Sequence, residues 1–204
     1  LRIAIQKSGR LSEDSLQLLR DAGINLSSSP SRMLRTQANN FPLELIFVRD
    51  DDIPEYVEGG VVDVGIVGEN VLLETLKDVN TIERLGFGKC RLCLAMPKNA
   101  TYNGPKSLEN LRIATSYVRI LENFLAEQNI RAEIHEISGS VEITPSLGLA
   151  DAIFDIVSTG STLLANGLRE VETVIESEAL LIAHPELPPA KQEILDRLLF
   201  RIHA

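Results

Sequence analysis

Short apolar runs rich in β-branched residues alternate with amphipathic stretches along the first part of the chain, and this alternation limits the fold more than any other feature. Residues 2–6, 43–48 and 61–67 read as strands, and residues 12–22, 51–58 and 69–76 as helices. Strand and helix in turn predict an α/β layer with a largely parallel sheet. Ser12, followed by Glu13 and Asp14, reads as a helix start with acids in the first turn. After Arg84-Leu85-Gly86-Phe87-Gly88-Lys89 the pattern begins again with 90–96, 112–115, 117–128, 131–137 and 153–157, which reads as a second lobe. Residues 179–183 then read as a returning strand and 190–202 as a helix. The expected organisation is a first α/β lobe of residues 1–86 plus 177–204 and a second of residues 87–176, joined by crossing strands. No repeat of fixed period interrupts this pattern, and 99–105 is a polar loop.

The 204 residues, 44% of them hydrophobic, suffice for one large core or two small ones. A formal net charge of −9 argues against a nucleic-acid partner, which calls for a basic face. No apolar run approaches the roughly 20 residues that span a bilayer, and no signal peptide is visible, so no membrane association and a cytoplasmic location are expected. Cys90 and Cys93 form a C-x-x-C inside an apolar strand. Residues three apart on a strand face opposite ways, and no second cysteine pair or nearby His completes a zinc site, so a structural role is expected. His135, His184 and His203 stand outside every motif.

Chemistry is written most densely in Asp155-Ile156-Val157-Ser158-Thr159-Gly160-Ser161-Thr162-Leu163. A β-branched run ends in five small residues and opens a helix-compatible segment. Small side chains let a phosphate approach the backbone, helix-start N–H groups lack partners, and the hydroxyls add uncharged donors. Asp155, just before this cradle, could hold ribose hydroxyls or a metal on a phosphorylated ligand. The plain alternative is a Ser/Thr-rich turn with an N-cap.

The string lies inside Glu142-x5-Gly148-x-Ala150-x2-Ile153-x-Asp155-Ile156-x2-Thr159-Gly160-x-Thr162-Leu163, which resembles the signature of the ATP phosphoribosyltransferases. The resemblance continues in Ile5-Gln6-Lys7-Ser8-Gly9-Arg10-Leu11, Arg49-Asp50-Asp51-Asp52-Ile53-Pro54, Asp63-Val64-Gly65-Ile66-Val67-Gly68-Glu69-Asn70 and Arg112-Ile113-Ala114-Thr115-Ser116-Tyr117, and so covers essentially the whole chain. It implies a fold like that of periplasmic binding proteins, two α/β lobes with the active site in the cleft between them. It implies transfer of phosphoribosyl from phosphoribosyl pyrophosphate to N1 of the ATP adenine, with release of pyrophosphate, as the first step of histidine biosynthesis. Mg2+ held mainly by substrate oxygens is the implied cofactor, with no dedicated protein metal site. Sites shared between subunits imply at least a dimer.

On this resemblance, Ser158, Thr159, Gly160, Ser161 and Thr162 take the 5′-phosphate, with Asp155 and Asp151 near the ribose hydroxyls. Glu142 is a further ribose candidate, or a hydrogen bond that supports the fold. Lys7 and Arg10 follow the first strand, where open α/β sheets place ligand groups; the resemblance puts Arg10 at the substrate phosphates, against the alternative of a solvated loop arginine. Arg49 either contacts substrate or pairs with Asp50 to Asp52. Those acids resemble a magnesium site, yet an N-cap at Asp51 or Asp52 before Ile53-Pro54 is the favoured reading. Asp63, Glu69 and Tyr117 could frame the adenine or its ribose, and Tyr117 is equally a helix cap. Arg32 stands where the family carries an arginine that reaches the neighbouring subunit's site, with Arg35 as the alternative equivalent.

The Lys7–Arg10 and Arg49–Pro54 motifs resemble the long form of the family, which carries a C-terminal regulatory domain. The chain ends at Ala204, about where that domain would begin, so a catalytic part without it, not inhibited by histidine, is expected. Val118 stands where proline is usual after Thr-Ser-Tyr. The rival from another class is a non-catalytic two-lobed solute-binding protein, which needs neither Asp155 beside a phosphate cradle nor cations at Lys7 and Arg10. A different phosphoribosyltransferase would place two adjacent acids before its phosphate loop, whereas Phe154-Asp155-Ile156 supplies one.

Overall fold

The computed structural model describes residues 1–27 and 34–204. It divides into two compact units, residues 1–88 with 178–204, and residues 89–177.

The first unit opens with β1 (Arg2–Gln6), α1 (Arg10–Asp21), β2 (Arg35–Gln37), β3 (Glu44–Val48), α2 (Ile53–Glu58), β4 (Val64–Gly68), α3 (Glu69–Thr75) and β5 (Asn80–Arg84). The second contains β6 (Cys90–Pro97), β7 (Arg112–Thr115), α4 (Val118–Glu127), β8 (Glu133–Glu136), β9 (Ala152–Val157), α5 (Ser161–Ala165) and β10 (Leu168–Ser177). The chain then returns to the first unit as β11 (Ala179–Ala183) and α6 (Pro189–Ile202).

Each sheet is mixed rather than largely parallel. The first has the order β2-β3-β1-β4-β11-β5, with β3, β1 and β4 parallel and β2 and β11 antiparallel to their neighbours. The second has the order β10-β6-β9-β7-β8, with β9, β7 and β8 parallel and β6 and β10 antiparallel. The parallel core comes from strand–helix crossovers, which the alternating pattern registers. β6 and β11 are entered where the chain passes from one unit to the other, whereas β2 and β10 are antiparallel strands within their own units, and the alternating pattern registers neither case.

Alternation along the strands splits each core into two layers. Ile3 and Ile5 face Leu16 and Leu19 of α1 and Leu195 and Leu198 of α6, while Ala4 faces Ile53 and Val57 of α2. β11 is buried at every position because helices cover both faces of the sheet there. In the second unit Leu92, Leu94 and Phe154 pack on Ile120, Leu121 and Leu125 of α4; Cys93, Ile153 and Val157 pack on Leu163 of α5 and Val141. Each such aliphatic side chain contributes roughly 1.5–3 kcal/mol when fully buried.

Two local expectations are corrected. The first helix starts at Arg10 with Gly9 at the cap position, which leaves Ser12 buried inside the helix. Asp50–Asp52 form a 3₁₀ turn, and Asp52 precedes α2 without a side-chain capping hydrogen bond, so the favoured N-cap reading fails and Pro54 in the first turn marks the start instead. Among the described residues no helix is long and apolar enough to cross a membrane.

Candidate active site

Carboxyl ends of neighbouring parallel strands are where open α/β sheets gather ligand groups, and most of the expected residues lie there. In the first unit Lys7 and Arg10 follow β1, Arg49 follows β3 and Glu69 follows β4. The turn after β1 is tied to β3 by the Lys7 N–H, which donates to the Val48 carbonyl at 2.8 Å. Lys7, Arg10 and Arg49 are exposed. Among the described residues no ion pair joins Arg49 to Asp50, Asp51 or Asp52, so the pairing alternative is not realised. Burial, with Asp50 beside it, raises the Asp51 carboxyl above its ordinary value. Glu69 is held by Arg84, whose guanidinium also reaches Glu178 at 3.0 Å.

In the second unit β9 delivers Asp155 and the cradle. Asp155 shares its strand face with Ile153 and Val157, the face covered by α5 and the turn carrying Val141. A cavity of about 240 Å³ is lined by Glu142, Asp155, Ile156, Val157, Ser158, Thr159, Gly160, Thr162 and Leu163. Burial, and next the charge of Glu142, raises the Asp155 carboxyl to about 6, opposed by the Ile156 N–H it accepts at 2.8 Å. Thr159 and Ser161 hydroxyls lie 3.0 Å apart within the loop. Gly160 has φ +78°, a conformation costly for side-chain-bearing residues, and a Cβ there would lie 3.2 Å from Glu170. α5 is only five residues long, so local N–H groups and hydroxyls, rather than a helix macrodipole, give the loop its anion-binding chemistry.

Tyr117 occupies the cap position of α4, half-buried against the second unit's core, with its N–H on the Thr115 hydroxyl at 2.8 Å; its side chain makes no capping bond.

Two further expected ligand residues lie at the opposite ends of their strands. Asp63 precedes β4 and Asp151 precedes β9, at the amino ends of the strands, away from the carboxyl-end loops. Asp63 is buried, accepting the Arg2 N–H at 2.7 Å and the Lys191 ammonium at 2.5 Å. Asp151 accepts the Arg112 N–H at 2.9 Å and its guanidinium in bidentate fashion at 2.8 and 3.1 Å. Four residues of strand put Asp151 about 13 Å from Asp155. Both aspartates brace the starts of their strands. Arg32 lies outside the described residues, and its alternative Arg35 is paired with Glu44 at 2.6 Å.

Sequence reasoning passed over Arg91 and Glu170, on β6 and β10, whose ion pair at 2.6 Å lies beside the cradle. The available signal was Arg91 itself, a single charge inside an apolar strand. Cys90 and Cys93 have thiols raised chiefly by burial, which suits packing rather than reactivity.

Known proteins match this chain along its length. The family model "HisG: ATP phosphoribosyltransferase" matches residues 49–204. An ATP phosphoribosyltransferase of Cytophaga hutchinsonii is 59% identical over 204 residues, all of this chain and 71% of the relative. Among solved structures, the ATP phosphoribosyl transferase (HisG:HisZ) complex from Thermotoga maritima superimposes with a TM-score of 0.81 at 28% identity, over 100% of this chain and 98% of that one. The alkanesulfonate-binding protein SsuA from Xanthomonas axonopodis pv. citri follows with a TM-score of 0.61 at 15% identity, over 99% of this chain and 71% of that one, a likeness of fold alone. The fold is therefore α/β of the periplasmic-binding-protein kind, the solute-binding reading rests on nothing beyond that fold, and the chain belongs to the ATP phosphoribosyltransferase family.

Proposed function

We propose that this chain joins N1 of the ATP adenine to C1′ of phosphoribosyl pyrophosphate, forming phosphoribosyl-ATP and releasing pyrophosphate. The observation that carries the reading is the cavity in which Asp155 and Glu142 adjoin the Ser158-Thr159-Gly160-Ser161-Thr162 loop. One set of groups suits a ribose and the other its 5′-phosphate. The adenine nitrogen is already a nucleophile and the C1′–O bond breaks to a stable leaving group. Alignment and neutralisation of the departing diphosphate therefore supply most of the catalysis.

The loop N–H groups and the Ser158, Thr159, Ser161 and Thr162 hydroxyls bind the 5′-phosphate, and Asp155 with Glu142 accepts the ribose hydroxyls. Ionised carboxylates next to C1′ also favour its oxocarbenium character. Lys7 and Arg10 serve the polyphosphate groups, with Arg49, Glu69 and Tyr117 toward ATP. Mg2+ fits the donor set, because the cavity lining holds two carboxylates, Asp155 and Glu142. Asp155 and Glu142 would hold such an ion together with substrate oxygens, and it would supply charge neutralisation for the leaving group. Work as a homo-oligomer of at least two chains and a cytoplasmic location complete the reading.

Incubation with ATP, phosphoribosyl pyrophosphate and Mg2+ should release pyrophosphate only when both substrates are present, with a product whose mass equals ATP plus one phosphoribosyl group. Pyrophosphate released without ATP, or no product of that mass, would overturn the assignment.

A further inference from the structure

We propose that Arg91 and Glu170 are positioning residues that fix the peptide plane at the head of the phosphate loop, Arg91 through the Ser158 carbonyl and Glu170 by clamping Arg91. The inference rests on the transferase reading of the same cavity and adds to it two residues that lie outside the loop.

Arg91 enters from β6, where it stands in register with Val157, the last residue of β9 before the loop. Its Nε donates to Glu170 Oε2 at 3.0 Å and its Nη2 to Glu170 Oε1 at 2.6 Å. This side-on bidentate pair uses one edge of the guanidinium and leaves the outer edge, where Nη1 donates to the Ser158 carbonyl at 3.3 Å. Glu170 is fixed in turn by the Cys93 thiol at 3.5 Å and abuts Gly160, whose missing Cβ would sit 3.2 Å from Oε1. The two ends of the loop's turn, Ser158 and Gly160, are therefore both referenced to one ion pair on neighbouring strands.

The peptide unit is planar and trans, so its C=O and the following N–H point in opposite directions. Holding the Ser158 oxygen toward Arg91 turns the Thr159 N–H away from the guanidinium, available to an anion in the cavity that Thr159 lines. Glu170 neutralises Arg91, so the pair acts through geometry and not as a net cation. Arg91 holds Glu170 well below the usual carboxylate range, which keeps the clamp ionised at neutral pH.

The opposing charges make the test decisive. Ribose 5-phosphate and phosphoribosyl pyrophosphate with Mg2+ are titrated calorimetrically into the wild type, Glu170→Gln, Arg91→Met and the double variant, beside KM values for both substrates. A positioning pair predicts that Glu170→Gln weakens both ligands about fivefold, although it leaves a free cation near the anion, and that Arg91→Met weakens them by about tenfold. The double variant should be no weaker than Arg91→Met, since the two residues act as one unit. KM for ATP and the melting temperature should stay near wild type.

Tighter binding by Glu170→Gln would mean that the pair acts through charge and would overturn the proposal. So would unchanged affinities in both single variants, or losses confined to kcat in step with a lowered melting temperature. Glu170→Gln preserves volume and decides the matter even where Arg91→Met does not fold. A wild type that binds neither ligand overturns the transferase reading of the cavity itself, a result distinct from wild-type binding with indifferent variants.

Discussion

At the scale of single residues, Asp155 carries the most consequence, because burial and Glu142 hold its carboxyl near 6 instead of 3.8. A group whose folded value is raised binds its proton in the folded state first, so its contribution to stability is full below its unfolded value and is lost as pH rises through 6. A shift of this size corresponds to roughly 3 kcal/mol between those limits. Asp155→Asn should therefore stabilise the protein at pH 8 relative to the wild type, measured as a higher urea midpoint, while raising KM for phosphoribosyl pyrophosphate by on the order of tenfold. For the wild type, kcat/KM for phosphoribosyl pyrophosphate should fall below pH 6 as Asp155 protonates. The 5′-phosphate also titrates near pH 6, so the residue's share is the part of the inflection that Asp155→Asn removes. An identical profile in the variant would contradict the role. The place of this residue at the end of an apolar strand, just before a small-residue loop, was legible in the sequence. The position of Asp63 and Asp151 at the amino ends of β4 and β9 was not legible, since a motif gives the residue type and not the strand end on which it sits.

At the scale of elements, those same aspartates show how each sheet is registered. Asp63 accepts the Arg2 N–H while its own N–H donates to the Arg2 carbonyl, and Asp151 repeats the arrangement with Arg112. Each locks the start of one parallel strand to its neighbour in the other's register. Asp63→Asn should cost about 1–3 kcal/mol in urea unfolding and leave KM for both substrates unchanged; a changed KM would return Asp63 to the site. Gly65 gives a second element-scale expectation, because α2 packs on β4 so closely that a Cβ would lie 2.5 Å from Ile53 and 3.1 Å from Val57. Gly65→Ala should lower stability by about 1–3 kcal/mol through overpacking. Strands with apolar runs were readable: β1, β3, β4, β6, β7, β9 and β11 lie within a few residues of their expected spans. β10, the longest strand, was not, because register irregularities between Glu170 and Glu172 and between Thr173 and Ile175 scramble the alternation that marks a strand. β2 and β5 are short, largely exposed edges with little apolar signal.

At the scale of the whole molecule, the restart of the strand–helix pattern after Gly88 made two units legible, and β11 with α6 returns the chain to the first. Which flanking strands run antiparallel was not legible, since periodicity reports the face of a strand and not its direction. We propose that the loop after β9 holds the 5′-phosphate and that Arg10, after β1, serves the polyphosphate groups of the transfer reaction. Near-ultraviolet absorbance of the phosphoribosyl-ATP formed from ATP, phosphoribosyl pyrophosphate and Mg2+, with pyrophosphatase to draw the reaction forward, tests it in the wild type beside Thr159→Ala and Arg10→Ala. The expected result is a rise that requires both substrates and falls by at least about tenfold in each variant. Full turnover in both variants, or none in a wild type that binds neither substrate, would contradict it.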